Sequence, residues 1–93
     1  MRIVTTSQYN KDYKRVLKRR WPIDKLNEVV RKLASGEPLP PKNRDHNLSG
    51  NFTGKRECHI APDWLLVYYY TKDALMLDCM VLDRTGSHSD IFG

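Results

Sequence analysis

The hydrophobic residues of this chain change their period once, and that change limits the possible folds more than any composition figure does. Between Ser7 and Ala34 they recur at helical spacing, and between Phe52 and Leu82 they fall into three β-like runs. The proline-rich stretch "GEPLPPKNRDHNLSGN" lies between the two regions. A helix repeats a face every three to four residues and a strand every two, so the two halves call for different backbones. "RIVTT", at residues 2–6, is β-branched and reads as a first strand. Ser7 stands where an N-cap is expected for a helix through "QYNKDYKRVLKRR". That helix carries Tyr9, Tyr13, Val16 and Leu17 on one face and Lys11, Lys14, Arg15 and Lys18 on the other. Pro22 interrupts it. A second helix is predicted from Ile23 to Ala34 on the stripe Ile23, Leu26, Val29, Val30 and Leu33, with Gly36 at its C-terminal end. The segments "FTGKRECHI", "DWLLVYYYT" and "ALMLDCMVL" are parted only by short breaks, which predicts an antiparallel meander. The expected fold class is α+β in two layers, ordered β-α-α-β-β-β. In it an antiparallel helical hairpin packs on one face of an antiparallel sheet and the other face is free.

A chain of 93 residues suits one domain spanning 1–93. It holds no apolar run of the ~20 residues that cross a membrane, and no N-terminal run like a signal peptide, so a cytoplasmic protein without membrane contact is expected. Cys58 and Cys79 lack the spacing of a zinc site or a disulfide framework and read as reduced core residues. The charge is divided: residues 1–56 hold 14 Lys and Arg against 5 Asp and Glu (+9), and residues 57–93 hold 2 against 6 (−4). A basic N-terminal half points to an anionic partner, a nucleic acid or an acidic protein, although a solvated helix face would look similar.

All three histidines fall at the edges of elements, none on a helix: His46 at the end of the proline-rich loop, His59 in the first meander strand, His88 in the tail. Alternation puts Lys55, Glu57 and His59 on one face of "KRECHI", and Arg56, Cys58 and Ile60 on the face towards the helices. Asp63 begins the next strand close to His59. Metal sites usually show tight local pairs of ligands, whereas these histidines lie 13 and 29 residues apart. Imidazoles beside Lys55 and Arg56 better suit acid–base cleavage of RNA without metal or cofactor. In that reaction a base takes the ribose 2′-OH proton, the oxygen attacks the adjacent phosphate, and an acid protonates the leaving 5′-oxygen. DNA lacks the 2′-OH. Phe92, four residues after His88, either pins the tail to the core or stacks on a base near the cut.

The spacing DHxLxGxxxGxRxxHxxPDWxLxY from Asp45 to Tyr68, with an ending RTGxHxxLF followed from Arg84 to Phe92 except that Ile91 stands for the Leu, resembles the RelE/ParE-like toxins, in particular the YafQ-type messenger-RNA endonucleases. The resemblance spans nearly the whole chain. It implies a RelE-like fold and the toxin of a type II toxin–antitoxin pair that cuts translated mRNA on the ribosome. It also implies a neutralising cognate antitoxin, through which the complex would bind operator DNA. By position it implies His46, His59, Asp63 and His88 as the catalytic group, and Phe92 beside the RNA. Lys55, Arg56 and Glu57 would contact substrate, Glu57 standing where similar toxins often carry Asp. The competing classes are a ParE-like binding poison of gyrase, which lacks the histidine group, and a non-catalytic nucleic-acid-binding module.

Overall fold

The computed structural model describes every residue, Met1–Gly93. The first strand, β1 (Arg2–Thr5), leads directly into α1 (Ser7–Lys18). Thr6, rather than Ser7, caps that helix: its hydroxyl accepts the Tyr9 N–H at 2.9 Å while also donating to the Asp83 carbonyl. Helix α2 (Ile23–Ala34) follows, ending at Gly36 with φ of +80°. Its last turn closes as a Schellman motif, with Gly36 N–H on the Leu33 carbonyl and Glu37 N–H on the Lys32 carbonyl. The proline-rich segment forms 3-10 turns at Pro41–Asn43 and Gly50–Phe52 around a two-residue strand, β2 (His46–Asn47). Then come β3 (Arg56–Ala61), β4 (Trp64–Lys72), β5 (Asp78–Gly86) and a short helix, α3 (His88–Phe92).

Strands β3, β4 and β5 form the expected antiparallel meander, and β2 extends it past β3. The sheet as a whole is mixed, because β1 runs parallel to β5 from Arg2↔Cys79 to Thr5↔Leu82. Parallel pairing needs a long connection, which the helical hairpin and meander supply. Both helices pack on one face: Tyr9 and Val16 of α1 and Leu26, Val29 and Leu33 of α2 meet Cys58, Trp64, Leu66, Tyr68, Met80 and Leu82. Trp21, between the helices, packs on Trp64 with ring centres 5.2 Å apart.

Three further expectations need correction. Leu17 is exposed, and the inward position on α1 belongs instead to Asp12, which has no exposed surface. Burying a carboxylate requires partners. Asp12 accepts from Arg84 Nε at 2.7 Å, from the Thr85 N–H at 3.1 Å and from Gln8 Nε2 at 3.0 Å. Next, β5 starts at Asp78 rather than Ala74, leaving Leu75, Met76 and Leu77 exposed. The Asp73 carboxylate accepts the N–H groups of Leu75 and Leu77 and so folds "DALML" into a turn. The strand then runs on to Gly86.

Third, the second face of the sheet is not free. Leu65 and Val67 are fully buried there under Ile91 of α3, with Leu48 against them. A bulge leaves Asp83 without a partner on β4, so Leu82 and Thr85 both turn towards the helices. No helix is long and apolar enough to cross a membrane.

Candidate active site

The residues on the second face of β3 form the centre of the site. Alternation carries Glu57 and His59 there, away from Cys58, and α3 and β2 flank them. Glu57 is buried, and its side chain is 7 % exposed. Its Oε1 lies 3.5 Å from His59 Nε2 and 3.9 Å from His46 Nε2, both longer than ordinary hydrogen bonds. His46 reaches Glu57 because the two residues are Cα partners across β2 and β3.

His88, expected in a tail outside any helix, instead opens α3, whose N-terminus is set by a capping box. The Ser87 hydroxyl accepts the Asp90 N–H, and the Asp90 carboxylate accepts the Ser87 N–H. Asp63, in the β3–β4 turn, accepts both the backbone N–H of His88 at 3.0 Å and its ring Nδ1 at 2.6 Å. These bonds, the backbone one first, hold the Asp63 carboxyl below its ordinary value. The His88 ring stands 5.7 Å from that of His59, centre to centre. His46 and His88 are half-exposed at the two ends, with buried Glu57 and the partly covered His59 between them.

The structure therefore brings together His46, Glu57, His59, Asp63 and His88, which lie far apart in sequence. Glu57, His59 and His88 each offer a ligand atom within 4.8 Å of the others. Two imidazoles and a carboxylate are a donor set that zinc or copper accepts, although no two of the histidines are local neighbours in the sequence.

Phe92 is not the pin of the tail: Ile91 is, leaving Phe92 43 % exposed and edge-on to Phe52 at 5.0 Å. Phe52, which pattern reading passed over as part of a strand, sits in the 3-10 turn. Lys55 lies near both Phe52 and Tyr69 rings, with Nζ paired to Asp83 at 2.6 Å.

Arg56 does not join the group. It occupies the helix-side face, where Nε donates to Asp45 Oδ1 at 3.3 Å and Nη1 donates to Asn47 Oδ1 at 2.6 Å. Alternation along β3 forces this placement. Arg56 instead grips the residues on either side of His46. Tyr68 joins the grip through its hydroxyl on Asp45, and its pKa is pushed up chiefly by burial. Asn43, also passed over by sequence reasoning, is buried and donates to the His59 carbonyl at 2.7 Å. A buried amide in a proline-rich loop leaves no periodic signal.

A family model described as the bacterial toxin YafQ of type II toxin–antitoxin systems matches residues 1–93. The chain is 37% identical over 89 residues to the mRNA interferase toxin YafQ of Escherichia coli K12, covering 95% of this chain and 91% of that protein. Its structure is similar to the crystal structure of YafQ from E. coli BL21(DE3), with TM-score 0.89 and 33% identity over 100% of both chains. It is also similar to a chain of the crystal structure of the E. coli DinJ–YafQ complex, with TM-score 0.86 and 34% identity over 100% of both chains.

Proposed function

The chain belongs to the YafQ family of bacterial toxins of type II toxin–antitoxin systems, and from that premise we propose that it is an mRNA interferase whose histidines cleave RNA through the ribose 2′-OH. The observation that carries this reading is the pair of half-exposed imidazoles, His46 and His88, at the two ends of the Glu57–His59 contact. A reaction with one proton to remove and one to donate needs two such groups. His46 takes the 2′-OH proton. The 2′-oxygen attacks the phosphorus, and the bond to the 5′-oxygen breaks. His88 gives its proton to that oxygen, leaving a 2′,3′-cyclic phosphate and a free 5′-hydroxyl.

Asp63 holds the His88 ring by Nδ1, so Nε2 is the nitrogen turned to substrate. His59 and Glu57 orient the scissile phosphate and the flanking imidazoles. Phe92 stacks on a neighbouring base, and Lys55 adds positive charge nearby. The whole chain, 1–93, acts as a single toxin domain in the cytoplasm, on mRNA in the ribosome. A cognate antitoxin neutralises it, and their complex reaches operator DNA through the antitoxin.

The test is induction of wild type and His88→Ala without antitoxin, with mapping of mRNA 5′ ends. Wild type should arrest growth and cut within translated messages. The variant should fold and cut about 10²- to 10⁴-fold more slowly. Equal cutting by the variant would remove His88 from catalysis. Growth arrest without cuts would point to a binding poison.

A further inference from the structure

His46 Nδ1 lies 2.6 Å from the carbonyl oxygen of Arg44. A carbonyl has no proton to give, so this contact requires the hydrogen to be on Nδ1. A neutral imidazole has one N–H, so the lone pair then belongs to Nε2, the nitrogen on the Glu57 side. The carbonyl is aimed by an unusual backbone: Arg44 has φ 47° and ψ 46°, the left-handed region that non-glycine residues seldom occupy.

Such a conformation persists only when its surroundings over-determine it. Here the residues before and after Arg44 are tied to the sheet. The Asn43 amide donates to the His59 carbonyl at 2.7 Å, and Asp45 accepts from the Tyr68 hydroxyl and from Arg56 Nε. Beyond His46, Asn47 accepts from Arg56 Nη1. The segment from Asn43 to Asn47 is thus a mount clamped to β3 and β4, and the catalytic group does not otherwise use its bonds.

We propose that the backbone of Arg44 is the positioning element for His46: its left-handed carbonyl holds the Nδ1 proton and so makes Nε2 the nitrogen that takes the ribose proton. This rests on the reading of His46 as base. The arginine side chain plays no part in it, so residues that tolerate the left-handed region should replace it.

The test compares Arg44→Gly and Arg44→Asn, which keep that region accessible, with Arg44→Val, whose branched β-carbon disfavours it. Two kinds of measurement are made: the kinetic constants kcat and KM for cleavage of ribosome-bound mRNA, and the ¹⁵N chemical shifts of the His46 ring in the free toxin. Wild type, Gly and Asn should show the Nδ1–H form and share the same kcat within about threefold, whereas Val should lower kcat by about 10- to 100-fold. An Nε2–H form of His46 in wild type overturns the proposal, whether or not Arg44→Val folds. So does a kcat for Gly and Asn that falls as far as for Val. Full cleavage by His46→Ala would instead overturn the role of His46 as base, and the ring shifts tell the two failures apart.

Discussion

Two carboxylates govern how α3, and with it His88, joins the rest of the protein. Asp12 sits buried beneath α1 and holds Arg84, while Asp90 takes both nitrogens of Arg19 at 2.6 and 3.0 Å with Arg15 close by. Arg84 also donates to the Asp90 carbonyl, so one arginine links the floor of α1 to α3. Gly86 is needed at the entry to that helix. Its φ is +151°, and a β-carbon there would lie 2.8 Å from Asp90 Oδ2. The Asp90 carboxyl is held well below the ordinary range, first by its hydrogen bonds from Arg19. Its folded-state pKa is depressed, so the unfolded chain binds the proton first. The stability it contributes is full above the ordinary carboxylate pKa of about 4 and disappears as the pH falls through the lower folded value. Asp90→Asn should therefore cost about 1 kcal/mol at neutral pH, a modest figure because Arg19 lies on the surface. The gap from wild type should narrow steadily below a pH of about 4, as read by urea unfolding across pH.

The two long helices end in the same motif on different residues. At α2 the left-handed position is Gly36, the residue suited to it. At α1 it is Arg20, with φ 58°, whose N–H bonds the Leu17 carbonyl while the Trp21 N–H bonds that of Val16. The chain turns there so that Trp21 can reach Trp64. A side chain in this conformation is strained, so Arg20→Gly should raise stability by about 0.5–1 kcal/mol, measured by thermal or urea unfolding, with cleavage unchanged. Helix α3 is the opposite case. Its five residues are too few to hold a helix alone. The capping box, Ile91 over Leu65 and Val67, and the arginines on Asp90 hold it instead.

Across the molecule the charges divide between the two halves of the chain. The basic N-terminal half places Lys11, Lys14 and Lys18 along exposed α1, and the acidic C-terminal half carries the sheet and most of the candidate site. A surface of this kind attracts polyanions over long range and is weakened by salt. Changing Lys11, Lys14 and Lys18 together to Ala should raise KM for ribosome-bound mRNA and flatten its dependence on salt, with kcat unchanged. A fall in kcat alone would move these lysines into the chemistry.

Much of this was legible in the residues themselves. Helical spacing gave α2 to the residue, and alternation in "KRECHI" placed Glu57 and His59 together on one face, because local backbone geometry sets both patterns. The same alternation took Arg56 away from the site. Other features depended on contacts between residues distant in sequence. Parallel pairing of β1 with β5, burial of Asp12 beneath α1, and Ile91 rather than Phe92 as the pin of the tail each join segments roughly 70 residues apart, or close a face that no periodicity describes. The sequence by itself determined which residues could form helices and strands and which could carry protons. Only the tertiary structure decided which of those side chains meet, because a charge is buried or a ring held wherever packing supplies its partner, at any distance along the chain.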